Sequence, residues 1–168
     1  MGPLLWLDIE TTGLSENEDL LLEVGLILTN ENLRITASKN VVIGYNRIRE
    51  IANKFITNMH EANGLFDAVD RSPATSLRAE QILLEWVEKH DAAGLYMAGS
   101  GVHFDRRWLR RWMPALVRVF HYRNFDMTTL CYFFDEKKVT TNHRALDDLK
   151  QNIADLRRLL GFRLAATA

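Results

Sequence analysis

The feature that most constrains this chain is an apolar run that carries two acids and stops abruptly, Leu4-Leu5-Trp6-Leu7-Asp8-Ile9-Glu10 followed by Thr11-Thr12-Gly13. Large hydrophobic residues closed by a turn signal read as a buried strand. Strand side chains alternate between faces, so Asp8 and Glu10 point the same way at the strand's end. Two like charges that close repel unless water surrounds them or a cation lies between them. The pair is therefore either a solvated strand end or half of a divalent-metal site, depending on whether the chain supplies the other half.

The rest of the sequence builds a frame around that strand. Residues 20–29 form a second apolar run and residues 33–43 a third, each closed by a short polar turn, which is the pattern of an antiparallel meander. From Arg47 the period changes to that of a helix, with Ile48, Ile51, Ala52, Phe55 and Met59 at three-and-four spacing and Gly64 near its end. Residues 76–89 repeat that spacing in a longer helix. Residues 95–98 then read as a short strand entering a Gly-Ser-Gly turn and a helix over 103–113, stopped or kinked by Pro114. This helix-then-strand order implies a crossover and a parallel strand. A last short strand at 124–127 leads into a helix through Phe134 and a polar loop over 136–142. An amphipathic helix from Ala145 follows, with a frayed tail over 164–168. The expected fold is α/β, a mixed five-stranded sheet of three antiparallel strands followed by parallel ones, flanked by helices.

At 168 residues, 47% of them hydrophobic, the chain can bury one full-sized core, so a single domain over 1–168 is expected. A net charge of -1 exerts no global pull on long nucleic acids or anionic membranes. One cysteine, Cys131, excludes an internal disulfide framework and points to a reducing, cytoplasmic compartment. No stretch approaches the roughly 20 apolar residues of a membrane span, so no membrane partner is expected.

Further candidates for the other half of the site lie far along the chain. Asp105 stands in the first turn of a helix that follows a strand and a glycine turn, where ligands collect at the end of an α/β sheet. Asp147 and Asp148 open the last helix, four and five residues after His143. Each alone could simply complement a helix dipole. Together, three or four carboxylates can hold two hard cations of the Mg2+ or Mn2+ type, and a histidine can take a proton from an attacking water. Spacing does not choose between Asp147 and Asp148: on a helix, five residues turn Asp148 about 140° away from His143, an angle without meaning if His143 belongs to the loop. Between Asp105 and Asp126 lie six arginines and no acid, a local basic block that reads either as a polyanion site or as a solvated helix face.

In order along the chain, Asp8-x-Glu10, Asp105 and His143-x4-Asp148 resemble the three motifs of the DEDDh 3'-to-5' exonucleases, whose fold is ribonuclease H-like. Five segments narrow the resemblance to the oligoribonuclease branch of that family. They are Asp-Ile-Glu-Thr-Thr-Gly-Leu at 8–14, His-x3-Gly-Leu at 60–65, Phe-Asp-Arg-Arg-Trp-Leu and Trp-Met-Pro within 104–114, Phe-His-Tyr-Arg at 120–123 and His-Arg-Ala-Leu-Asp-Asp at 143–148. The resemblance implies a metal-dependent exoribonuclease that degrades very short oligoribonucleotides, dinucleotides above all, to nucleoside monophosphates. It implies that Asp8, Glu10 and Asp148 bind one divalent cation, that Asp8 and Asp105 serve a second, and that His143 is the general base. The backbone of Thr11 and Gly13 would hold the 3'-terminal nucleotides, with Leu14 wedged against the bases. Phe55 stands where the family usually has a stacking Trp, and His60 would contact the terminal nucleotide. Tyr122 and Arg123 would come from the other subunit of a homodimer to close over the 5' end, with Thr128 assisting. A serine expected to touch the 5' phosphate falls on Gly101, with Ser100 adjacent. The alternative is a DEDDh exonuclease for longer DNA or RNA, in proofreading or RNA maturation.

Overall fold

The computed structural model describes residues 2–136 and 142–166. Three strands open the chain, β1 (Leu4–Thr11), β2 (Leu21–Thr29) and β3 (Ile35–Val42). Four helices follow, α1 (Ile48–Ile51), α2 (Lys54–Ala62), α3 (Leu65–Arg71) and α4 (Ser76–Lys89). The remainder is β4 (Met97–Gly99), α5 (Val102–Trp112), α6 (Pro114–Val119), β5 (Asn124–Asp126), α7 (Met127–Phe133) and α8 (Ala145–Ala166). The sheet order is β3-β2-β1-β4-β5; β1 is antiparallel to β2 and β2 to β3, while β1–β4 and β4–β5 are parallel. This is the mixed five-stranded sheet expected from the sequence.

Alternation along β1 divides the protein into layers. Leu5, Leu7 and Ile9 enter a core with Leu83, Trp86, Trp108 and Leu109, from α4 and α5. Leu4 and Trp6 enter a second core with Met127, Leu149, Ile153 and Leu156, from α7 and α8. The even-numbered face is thus the face that α8 covers, and on it Asp8 and Glu10 follow Leu4 and Trp6. Gly25, paired with Asp8 across the sheet, lets the start of α8 come close: a Cβ there would lie 2.9 Å from the Cβ of Ala145.

Several expectations are refined. The helix expected from Arg47 is broken, because Ala52 is extended and the Asn53 side chain accepts the Ile56 N–H, capping a new helix. The break leaves Phe55 exposed, away from the core to which its spacing would assign it. Two short helices, α3 and α6, were not expected; Pro114 ends α5 and, at the first position of α6, starts the next. The third strand begins at Ile35, later than expected, because Leu33 adopts a left-handed conformation in the preceding turn. Most of the expected polar loop, residues 137–141, and the end of the expected tail, 167–168, lie outside the described residues; the helix continues to Ala166. Among the described residues, no helix is long and apolar enough to cross a membrane.

Candidate active site

Where β1 meets the start of α8, ligand atoms of Glu10, His143 and Asp148 lie within 4.8 Å of one another. The register shift between Glu10 and Thr11 turns the strand end beside this cluster. Asp148 faces the site and Asp147 does not: Asp147 accepts from the side chains of Asn142 (3.0 Å) and Lys150 (2.9 Å). His143 precedes the helix in a left-handed conformation, φ 54°, so helical phase does not govern its direction. Asp105 is buried in the first turn of α5 and close enough to act electrostatically on Glu10.

Glu10 shows what such an arrangement does to a carboxylate. Its pKa is pushed up from 4.5 to about 8, first by burial and then by the charges of Asp148, Glu23 and Asp105, with Arg144 only partly opposing them. The donor set is all oxygen apart from His143, which suits a hard divalent cation, and a cation would replace the repulsion by attraction. Asp8, partly exposed, lies on the same strand face; the three residues whose ligand atoms converge are Glu10, His143 and Asp148.

The cluster opens into a groove of about 500 Å³ whose lining includes Glu10, Thr11, Gly13, Leu14, Phe55, Phe104 and His143. Leu14 and Phe55 present apolar surface to it, 80% and 75% exposed. The loop that carries Leu14 is clamped by α5. Arg107 donates to the Leu14 carbonyl (3.0 Å) and pairs with Glu16 (2.9 Å), and the Trp112 indole donates to the Glu16 carbonyl (3.1 Å). Arg106 is committed as well, to the Asn124 side chain and the His121 carbonyl. Two of the six arginines in the basic block are therefore occupied in positioning loops.

The remaining expected residues stand elsewhere. His60 is fully buried behind the groove, its Nε2–H directed at the Thr11 carbonyl (3.2 Å), and burial lowers its pKa. It exposes no surface of its own and reaches the groove through the Thr11 carbonyl, where a direct contact with the terminal nucleotide was expected. Ser100 donates to the Asn152 side chain (2.9 Å), and Gly101 caps α5 with a left-handed φ of 69°, a conformation that disfavours the family's serine there. Tyr122 is 71% exposed, with the Arg123 guanidinium over its ring and His121 stacked on it. The Thr128 N–H is held by the Asp126 carboxylate, which also accepts from the N–H groups of Gly101 and Val102. Within one chain, Ser100, Tyr122, Arg123 and Thr128 do not line the groove.

Sequence reasoning missed the support of the site. Glu23, fully buried, pairs with Arg144 at 2.7 Å and accepts from the Asn40 side chain and the Ala145 N–H. The signal was present as one acid inside a strand otherwise almost wholly apolar. Asn63 and Asp126 offered no comparable signal.

The Exonuclease family profile matches residues 5–156 of the chain. An oligoribonuclease of Chromobacterium violaceum is 35% identical, over 92% of this chain and 91% of its own length. The chain belongs to the oligoribonuclease family. A second member, from Coxiella burnetii, is 33% identical over 92% of this chain and 90% of its own. The fold agrees with the nuclease domain of 3'hExo, a DEDDh family member solved bound to rAMP, at a TM-score of 0.65 and 16% identity, over 95% of this chain and 92% of that one. The family is one of metal-dependent 3'-to-5' exoribonucleases, and that is the enzyme class of this protein.

Proposed function

We propose that this exoribonuclease acts on very short oligoribonucleotides, dinucleotides foremost, and releases nucleoside 5'-monophosphates. The observation that carries the reading is the convergence of Glu10, His143 and Asp148 at the head of a groove walled by Leu14 and Phe55. In this reading Asp8, Glu10, Asp105 and Asp148 hold two divalent cations, Mg2+ or Mn2+. When bound, the cations polarise the phosphoryl oxygens, lower the pKa of water and neutralise the charge that develops on the leaving oxygen. His143 accepts the proton of the attacking water. The backbone of Thr11 and Gly13 holds the 3' end, Leu14 wedges against the bases and Phe55 offers a stacking face.

The length gauge requires a second copy. Tyr122 and Arg123, with Thr128, close over the 5' end of a substrate in the partner's groove. An apolar surface supports self-association: Tyr132 is 89% exposed and Phe133 borders an open apolar cavity of about 210 Å³ between α7 and α8. Residues 1–168 act as one exonuclease domain. Buried Cys131, the only cysteine, supports a cytoplasmic setting.

The test compares labelled RNA dinucleotide and 20-mer at equal concentration, with Mg2+ or Mn2+ and with excess chelator. The reading predicts fast cleavage of the dinucleotide, slow cleavage of the 20-mer and none with chelator. Equal rates on both lengths would remove the gauge and favour a role on longer nucleic acids.

A further inference from the structure

His143 is exposed, lies outside helix and strand, and has a left-handed backbone that costs a residue with a side chain roughly 1–2 kcal/mol. A group in that position holds one direction only if its neighbours impose it. Two peptide planes meet at the His143 Cα. The carbonyl of Asn142 reports the orientation of one and the carbonyl of His143 the orientation of the other. The side-chain amide of Asn63 donates to both, at 3.0 and 2.7 Å, across about eighty residues of sequence. Both hydrogens of its NH2 group are used on these carbonyls; a third contact, to Nδ1 of His60, is longer at 3.4 Å. Gripping both carbonyls restrains φ and ψ of His143 together.

Asn63 is itself fixed. Its amide oxygen accepts the Leu65 N–H at 3.0 Å, and its backbone caps α2 through the carbonyls of Met59 and Glu61. Downstream of His143, Arg144 donates to buried Glu23, and Glu23 also accepts the Ala145 N–H. The chain at His143 is thus held between a hydrogen-bonded turn on one side and the sheet on the other.

We propose that Asn63 is a positioning residue: by holding the two peptide groups that flank the His143 Cα, it sets the direction in which the imidazole meets the reacting phosphodiester. The assignment rests on the reading of His143 as general base. Asn63 does not touch the reacting atoms, so its effect passes entirely through His143.

Asn63→Asp is the discriminating variant. It is isosteric and keeps an oxygen for the Leu65 N–H, but it replaces both donors by an acceptor facing two carbonyls. Asn63→Ala is the uncharged second variant, which keeps the proposal testable if the first does not fold. Rates on an RNA dinucleotide at saturating Mn2+ are expected to show kcat lowered about 10- to 100-fold in each variant. KM should stay within about twofold of wild type, because the groove residues are unchanged. In a His143→Asn background, adding Asn63→Asp should lower kcat no further, the signature of two residues acting as one unit. Wild-type kcat in a folded Asn63→Asp protein, beside a His143→Asn protein whose kcat is sharply lowered, overturns the proposal alone. So does a multiplicative loss in the double variant. Full activity of His143→Asn overturns the base reading and the proposal with it.

Discussion

Glu10 and Glu23 face each other across β1 and β2 in direct register, both buried, yet their surroundings are opposites. Glu23 has donors on every side, from Arg144, Asn40 and the Ala145 N–H. Glu10 has acids around it, and its pKa rises to about 8. A buried carboxylate supplied with its own counterion belongs to the scaffold. One surrounded by other carboxylates lacks a counterion from the polypeptide, which is what the proposed cation would supply. The two glutamates lie on one stretch of sheet, so the difference comes from what the helices and loops bring over it.

Exchanging either acid for its amide or for alanine should break the symmetry in opposite directions. Glu10→Gln should lower hydrolysis by about 10³-fold, the several kcal/mol of charge stabilisation that a lost cation removes. The metal-free protein should meanwhile be no less stable, since a repulsion is relieved. Single-turnover rates and thermal melts check both parts. Glu23→Ala should instead destabilise the fold by about 3 kcal/mol, because it strands Arg144 beside a buried backbone N–H. Urea unfolding of the metal-free protein reads this directly, and a loss below about 1 kcal/mol would show that the pair does not anchor the start of α8 to the sheet.

The pH dependence sharpens the contrast. In the window between 4.5 and about 8, folded Glu10 keeps a proton that the unfolded chain has released. The folded state binds more protons there, so stability from this group falls as pH rises through the window and levels off above it. Melting temperatures of the metal-free protein should carry that slope, and Glu10→Gln should remove it. The smallest effect is expected at the clamp on Leu14. Arg107 is half exposed, so Arg107→Ala should cost less than about 1 kcal/mol of stability. Freed from Arg107, the Leu14 loop should raise KM for the dinucleotide a few-fold with kcat nearly unchanged, as steady-state kinetics would show.

Much of this was legible in the residues. The period-two alternation of β1 places Asp8 and Glu10 on one face, and the resemblance to the DEDDh exonucleases, not the spacing, singles out Asp148. What sequence order does not encode is side-chain pairing between distant segments. Asn53 interrupts a run with continuous helical spacing because a cap is a local hydrogen bond, invisible to hydrophobic period. His60 looks like a ligand-facing imidazole by motif, and only packing shows it sealed behind Thr11. Arg106 and Arg107 count as positive charge in a composition, but their geometry spends them on carbonyls and a carboxylate. Spacing could not choose between Asp147 and Asp148, since the choice depends on Asn142 and Lys150 capturing the first of them.

The most direct test of Glu10 as the cation-seeking member of the pair is calorimetric titration with Mn2+ in buffers of different ionisation enthalpy. If the cation displaces the Glu10 proton, binding at pH 7 should release about one proton per protein, the release should fade above pH 8, and Glu10→Gln should abolish it. Tight binding at pH 7 without proton release, or undiminished release from Glu10→Gln, would contradict the account.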